Sequence, residues 1–214
     1  MSFSYPVTLN LKNRCCIVIG GGSVALRKVK SLLNEGANVT VISPVLHEEL
    51  QHLYEAQHSI TWIALPFQEE MLNGSFLVIA ATNSREVNHR AAVWCEAHQV
   101  LVNVVDSREE SSFTVNAAVR RGDLLIAVST DGASPAISRG IRMELEAQFG
   151  EEYAIMLEIA ESAREEAMRT IPDEKKRREF LQHLADMRLQ DLLKTETKEE
   201  VQKRVELCLS SYWA

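Results

Sequence analysis

Between Cys15 and Ser129, short runs of aliphatic and β-branched residues alternate with stretches of helical periodicity. This is the pattern of a parallel sheet whose strands are joined by crossover helices. The runs predict strands at Cys15–Ile19, Val39–Ile42, Ile60–Ile63, Phe76–Ala80 and Leu101–Val105. Each is almost continuously apolar, whereas a strand with one wet face would alternate polar and apolar residues, so the sheet is expected to be covered on both sides. The fold class that follows is α/β, a Rossmann-type doubly wound parallel sheet. After Asp106 the rhythm changes. Ser112–Val115 and Leu124–Val128 predict two further strands, a hairpin, with Arg120-Arg121-Gly122-Asp123 between them. Ser134-Pro135 then opens a helix, the serine able to cap free amides and the proline suited to the first helical position. On it Ile137, Ile141 and Leu145 recur every fourth residue and are predicted to face the core, with Arg139, Arg142 and Glu146 on other faces. From Glu151 onward Glu, Lys, Arg, Leu and Ala dominate and strand signals disappear, which predicts a helical satellite interrupted at Pro172-Asp173. The charged run Asp173–Glu179 reads as a solvated helix face.

Composition narrows this picture. A chain of 214 residues, 46% hydrophobic and 25% charged, can bury one full core and carry a small appendage. A net charge of -7 argues against general nucleic-acid binding, because neutralising phosphates takes a basic face. No run approaches the roughly 18 apolar residues of a membrane span, and Met1–Asn10 lacks the basic start and apolar middle of a signal peptide, so a cytoplasmic protein is expected. Cys15, Cys16, Cys95 and Cys208 show no CxxC spacing and are expected to be reduced thiols, the first two packed in an apolar stretch.

The first chemical signal is Gly20-Gly21-Gly22-Ser23-Val24-Ala25, which leaves the first predicted strand and enters a helix ending near Gly36. Strand, glycine turn and helix in that order form a dinucleotide fingerprint. Gly20 permits the tight turn, Gly22 allows backbone to approach a diphosphate, and Ala25 lets the helix lie close to the strand, with its positive N-terminus aimed at the phosphates. The second strand ends at Ser43-Pro44, where the usual fingerprint has an acid for the ribose hydroxyls. No arginine follows to receive a 2′-phosphate, so these residues favour NAD without excluding NADP. Ala81-Thr82, at the end of the fourth strand, would border the cofactor.

Taken together, Gly20–Lys28, Gly36-Ala37, Ala81-Thr82-Asn83 with Val87-Asn88, Asn103-Val104-Val105-Asp106, and Ser129–Pro135 with Arg139 and Arg142 resemble the precorrin-2 dehydrogenase and sirohydrochlorin ferrochelatase family. The likeness covers about the first 150 residues. It implies an NAD-binding domain over residues 1–112, a dimerisation and linker region over 113–150, and a helical C-terminal domain over 151–214. It also implies NAD as cofactor, a tetrapyrrole substrate, a homodimer, and oxidation of precorrin-2 to sirohydrochlorin in siroheme or cobalamin formation. Asp106 would be the key carboxylate, and Thr130 or its neighbour Ser129 would lie at the mouth of the substrate pocket. Asn116 stands where the family pattern suggests proline, and with the chain ending at Ala214 the methyltransferase domain fused to some relatives is not expected.

Oxidising the precorrin ring system removes a hydride and a proton, and Asp106, just past the fifth strand, is the first candidate to accept that proton or orient the substrate. The bland alternative is a turn or helix cap. Because the macrocycle carries many carboxylates, Arg120, Arg121, Arg139 and Arg142 are candidate partners, with Ser129, Thr130 and Ser134 near a helix N-terminus. His89 and His98, nine apart on one helix, do not share a metal-binding face, and no metal ligand is assigned. Two other functions stay open: an enzyme that also inserts iron or cobalt into sirohydrochlorin, and a non-catalytic NAD-sensing module.

Overall fold

The structure, a computed structural model, describes residues 5–57 and 59–213. The first four positions of the Met1–Asn10 segment read above for a leader lie outside the described residues. Contacts divide the chain between Val115 and Asn116 into two units.

The first unit runs β1 (Cys15–Ile19), α1 (Ser23–Asn34), β2 (Asn38–Ile42), α2 (Glu48–Ala56), β3 (Ile60–Ile63), a 3-10 turn (Glu69–Leu72), β4 (Leu77–Ala80), α3 (Arg85–Ala97) and β5 (Leu101–Val104). All neighbouring strands are parallel, in the order β3-β2-β1-β4-β5. The reason for the unbroken apolarity is visible in β1: Cys16 and Val18 join one core with Ala25, Val29 and Leu32 of α1, while Ile17 and Ile19 join a second with Ala91, Ala92 and Cys95 of α3. Successive side chains point to opposite faces, and both faces are dry. Each fully buried valine or isoleucine there contributes about 1.5–3 kcal/mol. The same burial pushes the Cys16 and Cys95 thiols up to about 11, which makes them packing groups.

The second unit begins with β6 (Ala117–Arg121) and β7 (Leu124–Val128), an antiparallel hairpin, followed by α4 (Pro135–Gln148). The helices α5 (Glu152–Thr170), α6 (Glu174–Asp186), α7 (Leu189–Leu192) and α8 (Lys198–Ser210) complete it. Ile159, Ala163 and Ala167 of α5 pack with Phe180 and Leu184 of α6 and Val201, Val205 and Leu209 of α8. Asp173 starts α6 by accepting from the amides of Lys175 and Lys176, and Thr197 and Glu200 form a reciprocal capping box at α8.

Three expectations are corrected. Ser112–Val115 is not a strand. Instead the chain folds back along β5: the Ser111 hydroxyl accepts from Val104 N–H at 2.9 Å, and the Ser112 hydroxyl accepts from Val102 N–H at 2.8 Å. Side chains thus take donors that a further strand would have used. The first hairpin strand is Ala117–Arg121, so Arg120 and Arg121 belong to a strand, and Gly122 (φ +54°) with Asp123 makes the turn. Finally, no residue of α4 is buried. Ile137 is 58% and Ile141 38% exposed, because a two-stranded hairpin offers too little surface to cover the helix's apolar stripe.

Candidate functional site

Strand order in the first unit reverses between β1 and β4, and a cavity of about 570 Å³ lies at the carboxyl ends of these strands. Open α/β sheets bind ligands at such a reversal because the connections leave on opposite sides and part there. Gly20, Gly21 and Gly22 line it together with Ser43, Pro44, Ala81 and Thr82.

The three glycines are there for different reasons. Gly20 has φ +116°, and a β-carbon on it would stand 2.4 Å from the Ala81 carbonyl oxygen. On Gly21 a β-carbon would stand 2.0 Å from the carbonyl oxygen of Val45 and 2.7 Å from Ser43 Oγ. Both positions are closed by the protein's own backbone. A β-carbon on Gly22 would meet nothing within 4 Å, so packing does not account for the third glycine. Gly22 is also the N-cap of α1; it offers no side-chain cap, and the first turn carries no acid. The first intrahelical bond runs from Leu26 N–H to the Gly22 carbonyl. The amides of Ser23, Val24 and Ala25 precede it and make up the positive end of the helix dipole. Ala25 is fully buried against the sheet, as the close approach of helix and strand requires.

The walls are fixed by hydrogen bonds. Ser43 donates to the Val45 carbonyl at 2.7 Å, and Trp62 Nε1 donates to the Ser43 carbonyl at 2.9 Å, shaping the exit from β2. Across the cavity, the Asn88 carboxamide accepts from Thr82 Oγ1 at 2.7 Å and donates to the Thr82 carbonyl at 3.1 Å. This near-buried asparagine on α3 therefore holds the Ala81-Thr82-Asn83 turn. Sequence reasoning missed Val45, Leu46 and His47 beyond Pro44, Pro66 and Phe67 after β3, and Val87 on α3. The loops after β2 and β3 bring in the first five of these, and α3 the last. Among the described residues, none that lines the cavity is lysine or arginine.

Asp106 lies past the end of β5 on the same sheet edge, exposed, and is not among the residues lining the cavity. It has φ +62° in a tight turn closed by Ser107 N–H donating to the Val104 carbonyl. The remaining candidates are in the second unit. Ser129 Oγ accepts from Asp131 N–H, Thr130 Oγ1 contacts Ser138 Oγ at 2.8 Å, and Ser134 Oγ caps Ile137 N–H, so these hydroxyls build the turn into α4. Arg142 pairs with Glu146 one turn on, Arg139 is exposed, and Arg120 lies in β6. Arg121 donates to the carbonyls of Arg120 and Glu146 and stands 3.3 Å from Glu151. His98 stacks on Trp94 and His89 pairs with Glu110. Among the described residues, no three His, Cys, Asp or Glu side chains are grouped as metal ligands.

An open parallel sheet with a glycine turn and an uncapped helix N-terminus at the strand-order reversal defines a nucleotide-binding protein of the doubly wound class. Residues 7–117 match the family profile described as "Putative NAD(P)-binding", and residues 121–148 the one described as "Sirohaem biosynthesis protein central". The chain belongs to this NAD(P)-binding family of sirohaem biosynthesis proteins. It is 38% identical to a siroheme synthase of Photobacterium profundum over 88% of this chain and 40% of that protein. Its identity to a siroheme synthase of Actinobacillus succinogenes is 37%, over 96% of this chain and 43% of that protein. The chain thus spans about two fifths of the length of these curated relatives. Among solved structures it is similar to SirC, a precorrin-2 dehydrogenase, with a TM-score of 0.78 and 29% identity over 95% of this chain and 99% of that one.

Proposed function

We propose that this chain oxidises precorrin-2 to sirohydrochlorin with NAD in siroheme (or cobalamin) biosynthesis. The observation that carries this is the coextensive likeness to SirC, which spans 95% of this chain and 99% of that one and includes both units.

The first unit fits a dinucleotide. The open face of Gly22 leaves room for a diphosphate against backbone, and the amides of Ser23, Val24 and Ala25 supply donors without a competing acid. When bound, the nicotinamide supplies the hydride acceptor. Ser43, Pro44, Ala81 and Thr82 border the same space, and the absence of lysine and arginine from its lining favours NAD over NADP. Asp106 takes the proton that leaves with the hydride, or orients the ring that loses it. Its backbone supports a functional reading: glycine occupies a left-handed turn position at no steric cost, yet a carboxylate stands there. Ser129, Thr130, Ser134, Arg120, Arg139 and Arg142 meet the substrate's carboxylates. The uncovered stripe of Ile137 and Ile141 on α4 supports a homodimer through this region. Both reactants are multiply charged and water-soluble, which fits a cytoplasmic enzyme.

Mixing the purified chain with NAD and precorrin-2 tests the proposal. NADH and sirohydrochlorin should appear in equal amounts. NAD binding without NADH formation would instead favour a sensing module.

A further inference from the structure

The turn that carries Asp106 lies beyond β5, the edge strand of the five-stranded sheet. What holds it comes from two directions. From within the loop, Ser111 Oγ donates to the Ser107 carbonyl at 2.6 Å while accepting from Val104 N–H, which ties the turn to the end of β5. From α3, His89 Nδ1 stands 2.5 Å from Glu110 Oε1, twenty-one residues on in the chain. A carboxylate can only accept, so Nδ1 is the donor. This bond joins α3 to the segment between Asp106 and Ser112.

We propose that His89 and Glu110 are positioning residues, a latch between α3 and the loop that sets the place of the Asp106 carboxylate. This rests on the reading of Asp106 as the reacting carboxylate. Glu110 also adjoins the turn, since Ser107, the residue after Asp106, is among the groups that lower its carboxyl. The bonds from His89 and Ser107, with the charges of His89 and Arg85 beside them, hold the Glu110 carboxyl below its usual range. His89 and Arg85 lie one turn apart on α3 and face it from that helix, and Ser107 faces it from the loop. His89 is largely exposed, and an exposed pair contributes little to global stability. Its effect belongs in turnover, where a misplacement on the order of 1 Å is costly.

The test compares Glu110→Ala and His89→Ala with Glu110→Gln, which keeps an acceptor, and His89→Asn, whose amide nitrogen replaces Nδ1. The alanine variants should lose about threefold or more in kcat, with KM for NAD and the thermal midpoint close to wild type, and the conservative variants should recover most of the loss. Alanine variants whose kcat falls by less than that, or whose loss appears in KM for NAD, would overturn the latch. Asp106→Asn, run in parallel, separates the two claims. If it is fully active, the assignment of Asp106 falls; if it is inactive while the alanine variants turn over normally, only the latch falls.

Discussion

At the scale of single residues, the site is built by backbone constraints that differ between neighbours. Gly20 is required by its own fold: φ +116° and a carbonyl 2.4 Å from where a β-carbon would go leave no room for a side chain. Gly20→Ala should therefore destabilise the protein by about 1–3 kcal/mol or more, read as a lower midpoint in denaturant. Asp106 is the converse, a side chain where glycine would be easier. Asp106→Gly should raise stability by about 1 kcal/mol by removing a strained left-handed residue, and should abolish turnover. A stabilised variant with normal turnover would make Asp106 a turn residue only. The fingerprint already gave Gly20 to the turn and Gly22 to an approaching backbone; Gly21 had no role of its own in the sequence, because its closeness to Val45 and Ser43 lies in what surrounds its Cα.

At the scale of elements, the five strands were legible because burial on both faces leaves a continuous apolar run, as in Leu77–Ala80. One cap was legible for a similar reason: Ser134-Pro135 stands where the chemistry of a helix start puts it. Ser112–Val115 misled because β-branched and aromatic residues there met a competing partner, the exposed edge of β5, through seryl hydroxyls that no pattern of hydrophobicity records. The Asp173 cap makes a pH-dependent contribution. Hydrogen bonds from the amides of Lys176 and then Lys175 hold its carboxyl below the usual value. A depressed folded value means that the stabilisation is complete above the ordinary carboxylate range and is lost as pH falls through the lowered one. Asp173→Asn keeps the cap but cannot titrate. Its thermal midpoint should fall less than that of the wild type between about pH 6 and pH 3, and equal slopes would remove Asp173 from the acid limb.

At the scale of the whole molecule, the period-four stripe on α4 shows how far a single chain's sequence can be read. Ile137, Ile141 and Leu145 were legible as an apolar face, but not what covers it, and within this chain Ile137 remains 58% exposed. If a second copy covers the stripe, Ile137→Asp should turn a dimer into a monomer in light scattering, since an acid in the first turn leaves the helix itself intact. An unchanged mass would take this face out of the interface. The glycine turn that lines the cavity at the strand-order reversal, by contrast, was legible in the order of strand, glycines and helix; what escaped was the wall formed by Val45, Leu46, His47, Pro66 and Phe67, which loops bring in from across the sheet edge. Whether a dinucleotide diphosphate rests on Gly22 and the start of α1 is read by titrating NAD into the wild type and Gly22→Asp. Aspartate is a favoured N-cap and its β-carbon would meet nothing within 4 Å there, so the variant should fold with equal or slightly higher stability and yet lose NAD affinity by about a hundredfold or more. A well-folded Gly22→Asp protein that binds NAD as the wild type does would mean that the diphosphate does not rest there.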